Sequence, residues 1–309
     1  MTHTARLATV ATFALLAACA APPRAVVAQA SPSSAPEVLL RLDDVGMNHS
    51  VNMAIEEVAA TKMPFSVSVL FACPWYQEAV EILKKNPQIA VGVHLALNSE
   101  WRGYRWGPVL GKAGVPSLVD SVGYFRSSGE SFLASHYDLG EVERELSAQV
   151  ERALASGLKI SYVDAHMGTA WATPQLREVT ERVAKKYGLG ISTYFGEDYF
   201  TLWGEPVAAK KSVLLNHLAN AKHDQVNLIE VHVAERTPEM EAIFDMNAPE
   251  QNAPGAGVVD HRNAELKTVL SPELADLVRT GKIRLVTYQT MMTRIGPTRL
   301  QRPRVDMVP

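Results

Sequence analysis

Six residues, Asp43, Asp44, His94, Asp164, His166 and His232, fall where short apolar runs of the chain come to an end. Three of them, Asp44, His94 and His166, would offer a divalent cation one carboxylate and two imidazoles. That set leaves a coordination position open to water or substrate, as hydrolytic centres do and closed structural ones do not. A cation so held lowers the pKa of its water and polarises a carbonyl oxygen, so a base and an acid remain to be found. In a regular strand the neighbours Asp43 and Asp44 would face opposite ways; in an irregular turn before Gly46 both could reach one cavity with different tasks, since two carboxylates beside a cation need not titrate alike. In Asp164-x-His166 the period of two puts both side chains on one face, so Asp164 could orient the imidazole as a hydrogen-bond acceptor. His232, from a distant segment, is the natural proton donor to a leaving group.

Taken singly, each signal is bland. An Asp-Asp pair before Gly is more often a capping turn, and a histidine after a strand is more often structural. The coincidence of such events at four strand ends, in residue types that fit one mechanism, points to a shared site. Trp101, Tyr104, Arg105 and Trp106 follow His94 closely. Aromatic faces beside an arginine suit a sugar ring, and equally suit the small core of a loop. His49, His136, His217, His223 and His261 read as exposed or capping residues, and Cys73 as a buried free thiol.

The elements that must position these groups follow from periodicity. Short β-branched or apolar runs over 38–42, 65–71, 88–95, 159–163, 226–233 and 283–288 read as strands. Helices are expected over about 50–60, 74–85, 140–156, 173–187, 212–221, 238–244 and 264–280, the last punctuated by Ser271-Pro272. Residues 189–204 are ambiguous, and 98–139 form a long insertion rich in Gly, Pro and aromatic residues, a kind of stretch that is usually functional. Strands alternating with helices argue for a parallel α/β fold, whose strand carboxyl ends gather reactive groups. Residues 37–290 are expected to form one domain and 291–309 a loose tail.

The 309 residues, 47% hydrophobic and 20% charged, exclude collagen-like, coiled-coil and wholly disordered chains. A formal charge of -3 gives no global positive field, so nucleic acid is not an expected partner. Arg6 precedes a short apolar stretch from Leu7 to Ala18, which has the form of a secretory signal over residues 1–18. Leu16-Ala17-Ala18-Cys19 resembles a bacterial lipobox, while Ala28-Gln29-Ala30 fits ordinary signal cleavage. Residues 19–36, rich in Ala, Pro and Ser, read as a tether. The expectation is an exported, periplasmic or outer-membrane lipoprotein that meets the membrane only through its N-terminal anchor.

These residues resemble the YdjC-like carbohydrate deacetylases, which include the chitooligosaccharide deacetylases. Arg41-Leu42-Asp43-Asp44-Val45-Gly46 is similar to the family's opening Asp-Asp-Phe-Gly motif, and Gly92-Val93-His94-Leu95 to its Gly-x-His-Leu signature. Asp164-Ala165-His166 is similar to its Asp-Ser-His segment, and Leu270-Ser271-Pro272-Glu273-Leu274 to its closing helix. The resemblance implies a distorted (β/α) TIM-like barrel that hydrolyses N-acetyl groups of amino-sugar oligosaccharides with one divalent metal. Zinc or magnesium comes first as that metal, with manganese, cobalt and nickel also suited. It further implies Asp43 as general base, Asp44, His94 and His166 as metal ligands, His232 as acid and Arg262 as an orienter of carboxylate or substrate. Two departures stand out: Met167-Gly168-Thr169 replaces further histidines after His166, and His232-Val233-Ala234 replaces the usual His-Pro-Gly. Two other readings of the same residues are a noncatalytic carbohydrate-binding lipoprotein and a metal-dependent phosphoesterase.

Overall fold

The computed structural model of the chain describes Met1, residues 35–248 and residues 253–303. Apart from Met1, the expected signal segment, Cys19 and the tether through residue 34 lie outside the described residues, as do residues 304–309.

Ten strands occur among the described residues: Glu37–Val45 (β1), Ser66–Val69 (β2), Ala90–Leu95 (β3), Trp101–Arg102 (β4), Ile160–Ala165 (β5), Gly190–Ile191 (β6), Asp198–Thr201 (β7), Val226–Val231 (β8), Phe244–Asp245 (β9) and Arg284–Val286 (β10). They alternate with helices His49–Ala60 (α1), Tyr76–Lys84 (α2), Gly111–Gly114 (α3), Gly129–Leu133 (α4), Leu139–Ala155 (α5), Pro174–Tyr187 (α6), Lys210–Ala219 (α7), Pro238–Glu241 (α8), Val258–Val269 (α9), Pro272–Arg279 (α10) and Tyr288–Ile295 (α11). Caps set these helices where the sequence places them: Asn48 accepts from the Val51 amide, Thr173 from that of Leu176, and Gly188 closes α6 in the left-handed region. None of them is long and apolar enough to cross a membrane.

The main sheet runs β6-β5-β3-β2-β1-β8-β7, and β10 pairs with the first residues of β1 on the side that β2 takes further along. Its pairings are parallel, while β4 and β9 form a separate antiparallel pair. Along β1 the period of two sorts the residues. Leu40 and Leu42 join one apolar cluster with Val67, Val91, Val93 and the Val51, Ile55 and Val58 face of α1. Leu39 points the other way, into a second cluster with Tyr162, Leu228, Val286 and Tyr288. The next residues on that inner face are polar: Arg41 and Asp43, with Ser68, Asp164 and Glu230 from neighbouring strands.

The sheet curls around this inner face. Four strand spacings separate β6 from β1, about 19 Å in a flat sheet, yet the Arg41 guanidinium is 2.5 Å from Ser192 Oγ just after β6. Gly92 makes room for the curl, because a Cβ there would lie 2.4 Å from the Tyr162 ring.

Three expectations need correction. The helix before Ser271 starts at Val258 and not Ala264, its first turn closed by the Gly257 amide donating to Asp260. The segment 291–309 is not loose throughout: α11 continues to Ile295, capped by Thr287 and anchored by buried Tyr288 and Met291, and Arg302 pairs with Glu181 at 2.6 Å. The insertion 98–139 carries several short elements around buried Trp106, Leu118, Phe125 and Phe132.

Candidate metal centre

The site begins with a break in β1. Pairing with β2 slips between Leu42 and Val45, and Asp44 takes a φ of 61°, a conformation that aspartate tolerates better than most residues. The bulge turns Asp44 inward beside Asp43, so both carboxylates are buried and both line the same cavity of about 330 Å³.

Asp44 Oδ1 lies 3.3 Å from His94 Nε2 and 3.1 Å from His166 Nδ1, and the two ring nitrogens are 3.3 Å apart. Each imidazole is oriented from behind. His94 Nδ1 meets Asp164 Oδ1 at 2.8 Å, and His166 Nε2 meets Glu100 at 2.9 Å. A carboxylate only accepts, so these outer nitrogens carry hydrogen and the inner nitrogens can present lone pairs. Asp44 Oδ1 itself is buried with no hydrogen-bond partner. Three ligand atoms converging without a donor among them fit a cation. Tetrahedral bonds of about 2.0–2.1 Å separate ligand atoms by about 3.4 Å, close to the spacings found.

The charges agree. Burial works against the Asp44 carboxylate, but Arg262 and His166 hold its pKa well below the usual range; the Arg262 guanidinium is 2.5 Å from Oδ2. Burial also opposes the charged form of His166, yet Glu100 and Asp44 outweigh it and raise that ring to about 9.

Asp43 belongs to a second layer of charge. Arg41 grips it through both carboxylate oxygens, at 2.8 and 2.7 Å, lies 3.2 Å from Asp164 and also bonds Glu230. Burial pushes Glu230 up to about 7 against the pull of Arg41. Asp43, Glu230 and His232 offer polar atoms within 4.8 Å of one another, as do Asp43, His94 and Asp164. Burial pushes the His232 ring down to about 3, and its Nδ1 is buried without a partner.

The structure thus gathers Asp43, Asp44, His94, His166, His232 and Arg262 around one cavity, with Asp164 behind His94. Of the four residues singled out in the insertion, only Trp101 lines it. Tyr104 instead donates to the Met47 carbonyl, Arg105 to that of Phe125, and Trp106 meets His166 edge to face with ring centres 5.6 Å apart; these three tie the insertion together and to the site's surroundings. His261, expected to be exposed, is buried near Trp203. Cys73 is a buried free thiol.

Sequence reasoning missed Glu100, Arg41, Glu230, Trp171 and Trp203 as members of the site. A signal existed for two of them: the period of two that pairs Asp164 with His166 also pairs Arg41 with Asp43 and Glu230 with His232.

Residues 37–280 match the family described as YdjC-like protein. The chain is similar to a protein named carbohydrate deacetylase from Brevibacillus brevis, 26% identical over 263 residues, covering 82% of this chain and 99% of that one. Carbohydrate deacetylase 1 of Listeria innocua is 35% identical over 158 residues, which cover 50% of this chain and 60% of that one. Among solved structures, a candidate cellobiose-phosphate cleavage protein from Enterococcus faecalis has the same fold, with a TM-score of 0.66 at 23% identity, covering 84% of this chain and 99% of that one.

Proposed function

The chain belongs to the YdjC-like protein family, and from that premise we propose that it is a metal-dependent deacetylase that hydrolyses N-acetyl groups of an amino-sugar-containing carbohydrate. One observation carries the reading: the partnerless Asp44 Oδ1 faces two imidazole nitrogens whose far sides are fixed by Asp164 and Glu100. The names of the relatives supply the substrate class.

Asp44, His94 and His166 hold the ion. When bound, a divalent cation of this kind lowers the pKa of water toward neutrality and polarises a carbonyl oxygen. Asp43 is the general base, its carboxylate aimed by the two-pronged contact with Arg41. It takes the proton of the water that adds to the acetyl carbon. His232 rests neutral, since burial holds it at about 3, so it becomes an acid only after receiving a proton. Asp43 is near enough to supply one. The ring then passes that proton to the amine as the C–N bond breaks, and acetate leaves. Trp101, Trp171 and Trp203 in the cavity wall present apolar faces to the sugar and exclude water.

Several finer points belong to this reading. The curled parallel sheet is a distorted (β/α) TIM-like barrel, and residues 37–295 form a single domain around it. Zinc or magnesium is the first choice of ion, with manganese, cobalt and nickel also suited to the donor set. The protein is exported and acylated at Cys19, with a periplasmic or outer-membrane site of action.

Acetate release from a panel of N-acetylated amino-sugar oligomers, with and without chelator, tests the proposal. Chelator-sensitive release is expected. Binding without release points to a carbohydrate-binding protein, and turnover of a generic phosphate ester alone points to a phosphoesterase; either result overturns it.

A further inference from the structure

The His232 side chain lacks the kind of anchor given to the other two histidines of the site. Its Nδ1 is buried with no partner, so no side-chain hydrogen bond to that nitrogen fixes the ring. Two other contacts do. The His232 amide donates to Glu265 Oε2 at 2.5 Å, and the ring meets Trp203 edge to face with centres 5.1 Å apart. Both constraints lead back to one buried ion pair. Lys210 Nζ lies 2.7 Å from Glu265 Oε1, both side chains fully buried, and donates to the Leu202 carbonyl at 2.6 Å and that of Trp203 at 3.4 Å. Glu265 therefore holds the backbone of His232 while Lys210 holds the loop that carries its aromatic neighbour.

A dry ion pair is a poor device for stability, because hydrophobic residues of similar volume often serve as well or better. A positioning task explains its presence. We infer that Lys210 and Glu265 are positioning residues that set the His232 ring for proton delivery to the departing amine. The inference rests on the deacetylase reading above and adds to it a dependence on two residues that touch neither ion nor substrate.

Two substrates separate positioning from general structural support. Hydrolysis of an N-acetyl amide needs a proton on the departing nitrogen, whereas 4-nitrophenyl acetate expels a stable phenolate and does not. The variants are Glu265→Gln and the double variant Lys210→Met/Glu265→Leu, which leaves no lone charge buried; His232→Ala is the reference. Each is measured as the metal-loaded full chain. In both variants kcat on the N-acetylated oligomer is expected to fall about 100-fold, with KM changed less than threefold. Hydrolysis of 4-nitrophenyl acetate and bound metal per chain should stay within threefold of the wild type. Equal loss on both substrates, loss of bound metal or fold in the double variant, or full amide activity in either variant overturns the inference. Failure of the wild type to release acetate from any N-acetylated oligomer would instead remove the deacetylase reading itself.

Discussion

Arg41 and Asp43 stand two residues apart on β1 and share a two-pronged ion pair, Nε to Oδ1 at 2.8 Å and a terminal nitrogen to Oδ2 at 2.7 Å. The contact gives the adjacent aspartates different surroundings. Asp43 is tied to a fixed cation of the protein, while Asp44 keeps one oxygen without any donor. Replacing Asp43 with Asn should therefore cut kcat by about 100-fold or more while bound metal per chain stays at the wild-type level. Elemental analysis beside an acetate assay checks this, and loss of metal together with turnover would show Asp43 to be a ligand.

Glu100 contacts His166 on the side away from Asp44, at 2.9 and 3.1 Å. Such a carboxylate fixes the tautomer and raises the basicity of the liganding nitrogen. The variant Glu100→Gln can still accept a hydrogen bond but carries no charge. Its metal dissociation constant, measured by competition with a coloured chelator, should rise about 10-fold to 100-fold. An unchanged constant would mean that Glu100 serves only the packing of the insertion.

How much of this was legible in the sequence depends on where each residue sits. Asp43, Asp44, His94, His166 and His232 follow apolar runs that could only be strands, and the chemistry at strand ends could be read from spacing. The bulge that turns Asp44 inward was foreshadowed by Gly46 but not its geometry, since a register slip depends on the partner strand. Glu100 was unreadable because it lies in an insertion without periodicity, so nothing fixed its direction. Lys210 and Glu265 sit on helices whose burial follows from tertiary packing and not from their own amphipathic pattern. Tyr104, Arg105 and Trp106 had the right residue types for sugar binding, yet the same types build a loop core, and only folding decides between the two.

Proton release should accompany metal uptake. Burial disfavours the charged imidazoles, but Asp164 and Asp43 raise His94 well above its ordinary value, and Glu100 and Asp44 raise His166 to about 9. Near neutral pH the metal-free His166 ring therefore holds a proton on the nitrogen that faces Asp44, and an ion must displace it to bind there. Binding should tighten as pH rises toward 9, by about tenfold per pH unit for each proton released, and should level off above it. Calorimetric titration of the metal-free protein with zinc, in buffers of different ionisation enthalpy, counts the protons directly. A count of zero would contradict the pairing of these rings with their carboxylates.

Gly92 tests whether the curl of the sheet is needed for the site. It lies on β3 two residues before His94, and a Cβ there would come within 2.4 to 2.6 Å of three atoms of the Tyr162 ring. That ring cannot easily yield, being packed at a tilt against Tyr288 with centres 4.0 Å apart and hydrogen-bonded to Ser68 at 3.0 Å. Ser68 in turn donates to Asp164, which orients His94. Overpacking of a tight core costs about 1–3 kcal/mol, or roughly 2–6 °C of melting temperature for a domain of this size. The variant Gly92→Ala should lose that much stability and bind metal more weakly, because displacement of Tyr162 reaches His94 through Ser68 and Asp164. The added variant Tyr162→Leu should recover part of the melting temperature by removing the ring. A Gly92→Ala protein that melts and binds zinc like the wild type would mean that β3 and β5 lie further apart than the curled sheet requires.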